Sequence, residues 1–121
     1  MISPDIVHGM TFGGIAHGIG AALYEKFAYS DNGQLESQSF MDYLIPTALE
    51  VPAIAIVDHC TPSPHTTFGQ KGSGEAGYLG APAAIAGAIN DALAPLGASI
   101  MELPMTPLQI WKRMQLVRSG N

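Results

Sequence analysis

Charge is what this sequence has least of. Only 12% of its 121 residues are Asp, Glu, Lys or Arg, about half the usual share. A domain this small has much surface per unit volume and normally covers it with those four residues, so the deficit points to surface that meets other protein rather than water. Lys and Arg together number 5 against 10 acidic residues, for a net charge of -5, which argues against a nucleic-acid partner because phosphate binding needs clustered cations. Cysteine is nearly missing. Cys60 alone excludes an internal disulfide framework and any CxxC zinc or iron-sulfur site, and fits a reducing compartment. A cationic segment ahead of an apolar one is also absent from MISPDIVHG, so the chain reads as cytoplasmic rather than secreted. The longest apolar run, Gly9 to Tyr24, falls short of the roughly 20 residues of a membrane span and contains His17. No span is expected, and the length allows one domain over residues 1–121.

What is present is glycine, alanine and proline in a pattern. Gly9 to Leu23 lacks proline and reads as a Gly-rich helix. Each glycine in a helix interior costs about 1 kcal/mol against alanine, so packing rather than propensity must hold the helix. Gly9 and Gly13, then Gly14, Gly18 and Ala22, recur every four residues and lay bare strips where another backbone can approach. Asn32-Gly33, between Tyr24 and Tyr43, signals a hairpin. Phe40 to Ile45, Ile54 to Asp58 and Ser99 to Leu103 are short strand candidates. An Ala-rich helix follows Gly74, with Pro82 suiting its first turn and Pro95 and Gly97 closing it. Thr106-Pro107-Leu108-Gln109 is a capping box that opens a C-terminal helix. The order predicts an α+β class without repeats.

The long loop TPSPHTTFGQKGSG, residues 61–74, is where function is expected. Gly72 to Gly77 fits GxGxxG literally, but a dinucleotide site needs an apolar strand running into the first glycine, and PSPHTTFGQK is polar and proline-broken. The loop does supply backbone that can approach a ligand closely, free N–H groups at a helix start, and Lys71. Glu75 then stands in the first helical turn. Two readings stay open for it: a carboxylate stabilised by the helix dipole, or a general base whose anion the helix start and Lys71 favour. His8, His17, His59 and His65 have no zinc-like spacing, so no metal ligand is expected among them. His17 is the strongly polar side chain of an otherwise small and apolar helix, and reads as a satisfied core residue or as a group facing a ligand. No G-x-S-x-G elbow supports serine hydrolase chemistry.

Four motifs in order, GGIAHGIGAALYE, SFMDYLIPTA, TPSPHTTFGQKGSGEAGYLGAPAAIAGAINDAL and LPMTPLQIW, resemble the C-terminal segment of the molybdenum-binding large subunit of the xanthine oxidase, aldehyde oxidase and carbon monoxide dehydrogenase family. The similarity runs from about Ile2 to Gln115. It implies part of a molybdopterin-binding domain, incomplete alone, in a hydroxylase that oxidises an electron-poor carbon of an aldehyde, an N-heterocycle or carbon monoxide. Water would supply the oxygen, and an aldehyde or N-heterocycle carbon would give up a hydride. By motif match Glu75 is the general base. Lys71, Gly72, Ser73 and Gly74 would lie against the molybdenum ligands and pterin. His17 stands where members commonly have a Gln that hydrogen-bonds the cofactor's metal end, and Ser73 where a small apolar residue is more common. The implied cofactor is a molybdenum pterin, in the cytosine dinucleotide form of bacterial members, with iron-sulfur clusters and FAD on partner chains or domains. Family large subunits are several times longer, so partners would include the remainder of the subunit and the isolated chain should not turn over substrate. The competing reading is an assembly or interaction segment that keeps the fold without the chemistry.

Overall fold

The computed structural model describes residues 1–119, and they form three α-helices joined by long irregular segments. Helix α1 spans Pro4–Leu23, α2 spans Ala76–Leu93 and runs into a 3-10 turn at Ala94–Leu96, and α3 spans Pro107–Ser119. Helix α1 starts with proline in its first turn and Asp5 just behind it, both favourable at the positive end of the helix dipole. The helix thus extends past Gly9 to Pro4. With that extension α1, and likewise Ala76–Leu96, are long and apolar enough to cross a membrane by length and composition alone, which corrects the expectation that no segment reaches that length.

The two long helices pack through their glycines. A Cβ built on Gly14 would stand 2.9 Å from the Tyr78 backbone nitrogen, and one on Gly18 would stand 2.6 Å from the Ala81 Cβ. A Cβ on Gly77 of α2 would land on the Thr11 carbonyl oxygen. Helix backbones can come this close only where side chains are missing, so the strip Gly14, Gly18, Ala22 does what its spacing predicts. Gly9 and Gly13 of the other strip meet nothing within 4 Å.

Pro82 lies inside α2 rather than in its first turn, which corrects the sequence reading. Lacking an N–H, it leaves the Tyr78 carbonyl without its usual helical donor. The small core sits where α1 ends: Ala22, Leu93, Ala98 and Met105 are all buried. Asn90 clamps the returning segment with a pair of hydrogen bonds, donating from Nδ2 to the Ile100 carbonyl (2.9 Å) and accepting from the Ile100 N–H (2.8 Å). The Met105 N–H donates to the Ala22 carbonyl (2.6 Å).

No strand forms among the described residues, so the β part of the α+β expectation is not found. The hairpin survives only as a turn. Gly33 adopts φ +82, a single antiparallel bridge pairs Tyr29 with Leu35, and the Ser37 hydroxyl ties the ends by accepting from the Ala28 N–H (2.9 Å) and donating to the Lys26 carbonyl (3.1 Å). Phe40–Ile45, Ile54–Asp58 and Ser99–Leu103 are irregular. A strand exists by pairing with another, and β-branched or aromatic content cannot replace a partner. Phe40 and Val57 accordingly stand 80% and 89% exposed.

Candidate functional site

The loop before α2 is ordered by its own hydrogen bonds. The Ser63 N–H donates to the Gly69 carbonyl (3.0 Å), the Gly69 N–H to the Thr66 carbonyl (3.1 Å) and the Thr66 hydroxyl to the Gln70 carbonyl (2.9 Å). Lys71 Nζ donates to Thr61 Oγ1 at 2.7 Å, which pulls the ammonium back onto the loop. No ion pair joins it to Glu75 among the described residues, so the expected help from Lys71 in holding the Glu75 anion takes no direct form.

From Lys71 to Glu75 the backbone is bare. The N–H groups of these five residues donate to no protein acceptor among the described residues. Gly72 and Gly74 have open space where a Cβ would be, and Gly74 adopts φ +53, a left-handed conformation that glycine takes without strain. Successive unpaired N–H groups leading into a helix start form a surface for electron-rich atoms. Glu75 is the N-cap residue of α2, yet its side chain makes no capping hydrogen bond. Its exposed carboxylate has no donor among the described residues.

The glycine packing brings His17 to the same end of α2. Its imidazole stacks on the Tyr78 ring, with centroids 4.5 Å apart and planes at 28°, and Tyr78 follows Glu75 by one helical turn. His17 is exposed rather than a satisfied core residue, and neither ring nitrogen has a hydrogen-bond partner among the described residues. Tyr78 escaped the sequence reading. The signal for it was an aromatic residue three positions after Glu75 in a helix of small side chains.

A cavity of about 330 Å³ opens beside His17, lined also by Ala16, Glu25, Ile45 and Pro46. Glu25 faces it while accepting a hydrogen bond from the Tyr43 hydroxyl (2.6 Å). That bond, and the nearby negative charge, push the Tyr43 phenol above its ordinary value of 10.0. A larger apolar groove of about 700 Å³ runs between α1 and α2, with Ile15, Ile19 and Ile85 among its walls. Glu50 at its edge accepts from the Thr47 hydroxyl and N–H, which lowers its carboxyl below the usual range. Among the described residues no cluster of His, Cys, Asp and Glu could hold a metal ion. Bare N–H groups, glycines without neighbours and a free imidazole fit the electron-rich edge of an organic cofactor.

Comparison with known proteins identifies the family. Residues 1–52 match the molybdopterin cofactor-binding domain family, a stretch that contains His17 but not the 71–75 loop. The chain is 46% identical over 110 residues to the nicotine 6-hydroxylase large subunit of Paenarthrobacter nicotinovorans, covering 91% of this chain and 14% of that one. It is 35% identical over 111 residues to the carbon monoxide dehydrogenase large chain of Afipia carboxidovorans, covering 92% of this chain and again 14% of the relative. In three dimensions it superposes on quinoline 2-oxidoreductase from Pseudomonas putida 86 with a TM-score of 0.91 at 50% identity, over 95% of this chain and 15% of that structure. The chain thus spans about 14% of the length of the curated relatives it matches.

Proposed function

We propose a function from one premise: the chain belongs to the molybdenum hydroxylase large-subunit family, one segment of which it matches. On this reading residues 1–121 are part of a molybdopterin-binding domain completed by the remainder of the subunit, and they contribute the general base. When bound, the molybdenum-pterin cofactor supplies the two-electron acceptor and the position at which water becomes the oxygen donor. Glu75 would accept the proton released when water gives its oxygen to an electron-poor carbon. The carboxylate is free to do so because no donor among the described residues occupies it. The N–H groups of Lys71 to Glu75 donate to the cofactor's electron-rich atoms, and Lys71, tied to Thr61, stiffens the loop that carries them. His17 offers one ring N–H at the metal end, as an amide would, with a shorter reach.

The observation that carries this reading is the unpartnered Glu75 carboxylate at the end of a run of unpaired N–H groups, with His17 beside it through Tyr78. The apolar surface supports the completed subunit: Leu49, Phe68 and Met101 are each about nine-tenths exposed, more than a domain standing alone tolerates in water. From the family resemblance, the proposal extends to a cytosine dinucleotide form of the cofactor, to iron-sulfur and FAD partners that take the electrons, and to an N-heterocycle, an aldehyde or carbon monoxide as substrate. Glu75→Gln in the assembled enzyme tests the base directly. Turnover should fall by roughly 10²- to 10⁴-fold, the range for losing a general base, while molybdenum content stays near that of the parent enzyme. Unchanged turnover would leave the segment as an assembly module without chemistry.

A further inference from the structure

We propose that Tyr78 is a positioning residue for His17: its ring, stacked on the imidazole, fixes where the two ring nitrogens point. The inference rests on the reading of His17 as a cofactor-facing group. His17 sits on α1 between Ala16 and Gly18, whose side chains are too small to brace a ring, and its nitrogens have no hydrogen-bond partner among the described residues. The stack on Tyr78 is its one aromatic contact among the described residues. Tyr78 itself is held at the backbone. Its nitrogen lies in the gap left by Gly14 and donates to the Glu75 carbonyl (2.9 Å), and its carbonyl lies over Gly18, where Pro82 provides no helical donor. The glycine contact between helices therefore sets the Tyr78 ring, and the ring sets the imidazole.

The two tyrosines near the cavity divide the work differently. The Tyr43 hydroxyl donates to Glu25, whereas the Tyr78 hydroxyl has no hydrogen-bond partner among the described residues. The ring of Tyr78 alone should matter, which a phenylalanine retains. In the assembled enzyme, structures and steady-state kinetics of Tyr78→Phe and Tyr78→Leu decide the point, with Tyr78→Met as the second ringless variant should Tyr78→Leu not assemble. Tyr78→Phe should keep the imidazole in place and kcat unchanged. The ringless variant should show the His17 ring rotated or spread over more than one position, with kcat lower by roughly 2- to 10-fold, the worth of one aromatic stack, and KM and molybdenum content little altered. An imidazole that stays in place without the ring, or a Tyr78→Phe enzyme that behaves like the ringless one, would overturn the proposal. A His17 ring that moves while kcat stays unchanged would uphold the positioning role and count against His17 facing the cofactor, so the two failures can be told apart.

Discussion

The glycines of this chain fall into two groups that meet opposite surroundings. Gly14, Gly18 and Gly77 face protein so closely that a methyl group on any of them would strike a neighbouring helix, whereas Gly9, Gly13, Gly72 and Gly74 face nothing. Both groups have the same physical use, which is to admit a close approach. In the first group the approaching partner is the other helix of the pair. In the second, what would fill the space lies outside this chain, and the loop 71–75 and one strip of α1 are where it would come. One residue type thus marks both the close contact between the helices and the faces left open.

The sharpest way to break that comparison is Gly77→Ala. Its Cβ would overlap the Thr11 carbonyl oxygen, backbone against which no rotamer can relieve the clash, so the helices must separate. Overpacking of this kind costs about 1 to 3 kcal/mol. Thermal and urea unfolding of the assembled large subunit should show the loss, with a fall in turnover because Glu75 and Tyr78 move with the start of α2. Stability equal to the parent's would mean that the close helix contact is not what holds the pair.

Gly72→Ala sharpens the contrast from the other side. With open space at its Cβ the substitution should leave unfolding of the cofactor-free subunit within about 0.5 kcal/mol of the parent, as for surface changes in general. If the cofactor's edge occupies that space, molybdenum content of the purified enzyme should drop several-fold, because the added methyl displaces the group that the N–H donors hold. Equal stability with equal molybdenum content would show that the cofactor does not come close at this position.

Local signals made the helices legible. Four-residue glycine spacing foretold the α1 face that α2 covers, and Thr106 caps α3 as its sequence suggests, with Oγ1 accepting from the Gln109 N–H at 3.2 Å. The reciprocal half of that box is not made, and Gln109 Oε1 is buried without a partner. The strands were misread because pairing is a non-local property. Phe40 to Ile45 has the composition of a strand, yet the described chain offers it no ladder. The open backbone of loop 71–75 was legible from its glycines, but the stack of His17 on Tyr78 was not, since it depends on how α1 and α2 cross. Lys71 shows the same limit: its neighbours in sequence suggest a partner for Glu75, and the fold gives it Thr61 instead.

The smallest effect separates a bare strip from a covered one. Gly13 lies inside α1 with no atom within 4 Å of its Cβ position, so in this chain alone Gly13→Ala should stabilise by about 0.5 to 1 kcal/mol, the helix-propensity difference. Were the rest of the large subunit packed onto that strip, the sign would reverse, for the reason that makes Gly77→Ala costly. Unfolding of the Gly13→Ala subunit in its assembled form therefore reads the environment of the second strip. A gain places it against solvent, and a loss places protein or cofactor there, making α1 a helix gripped on two faces with His17 carried between them.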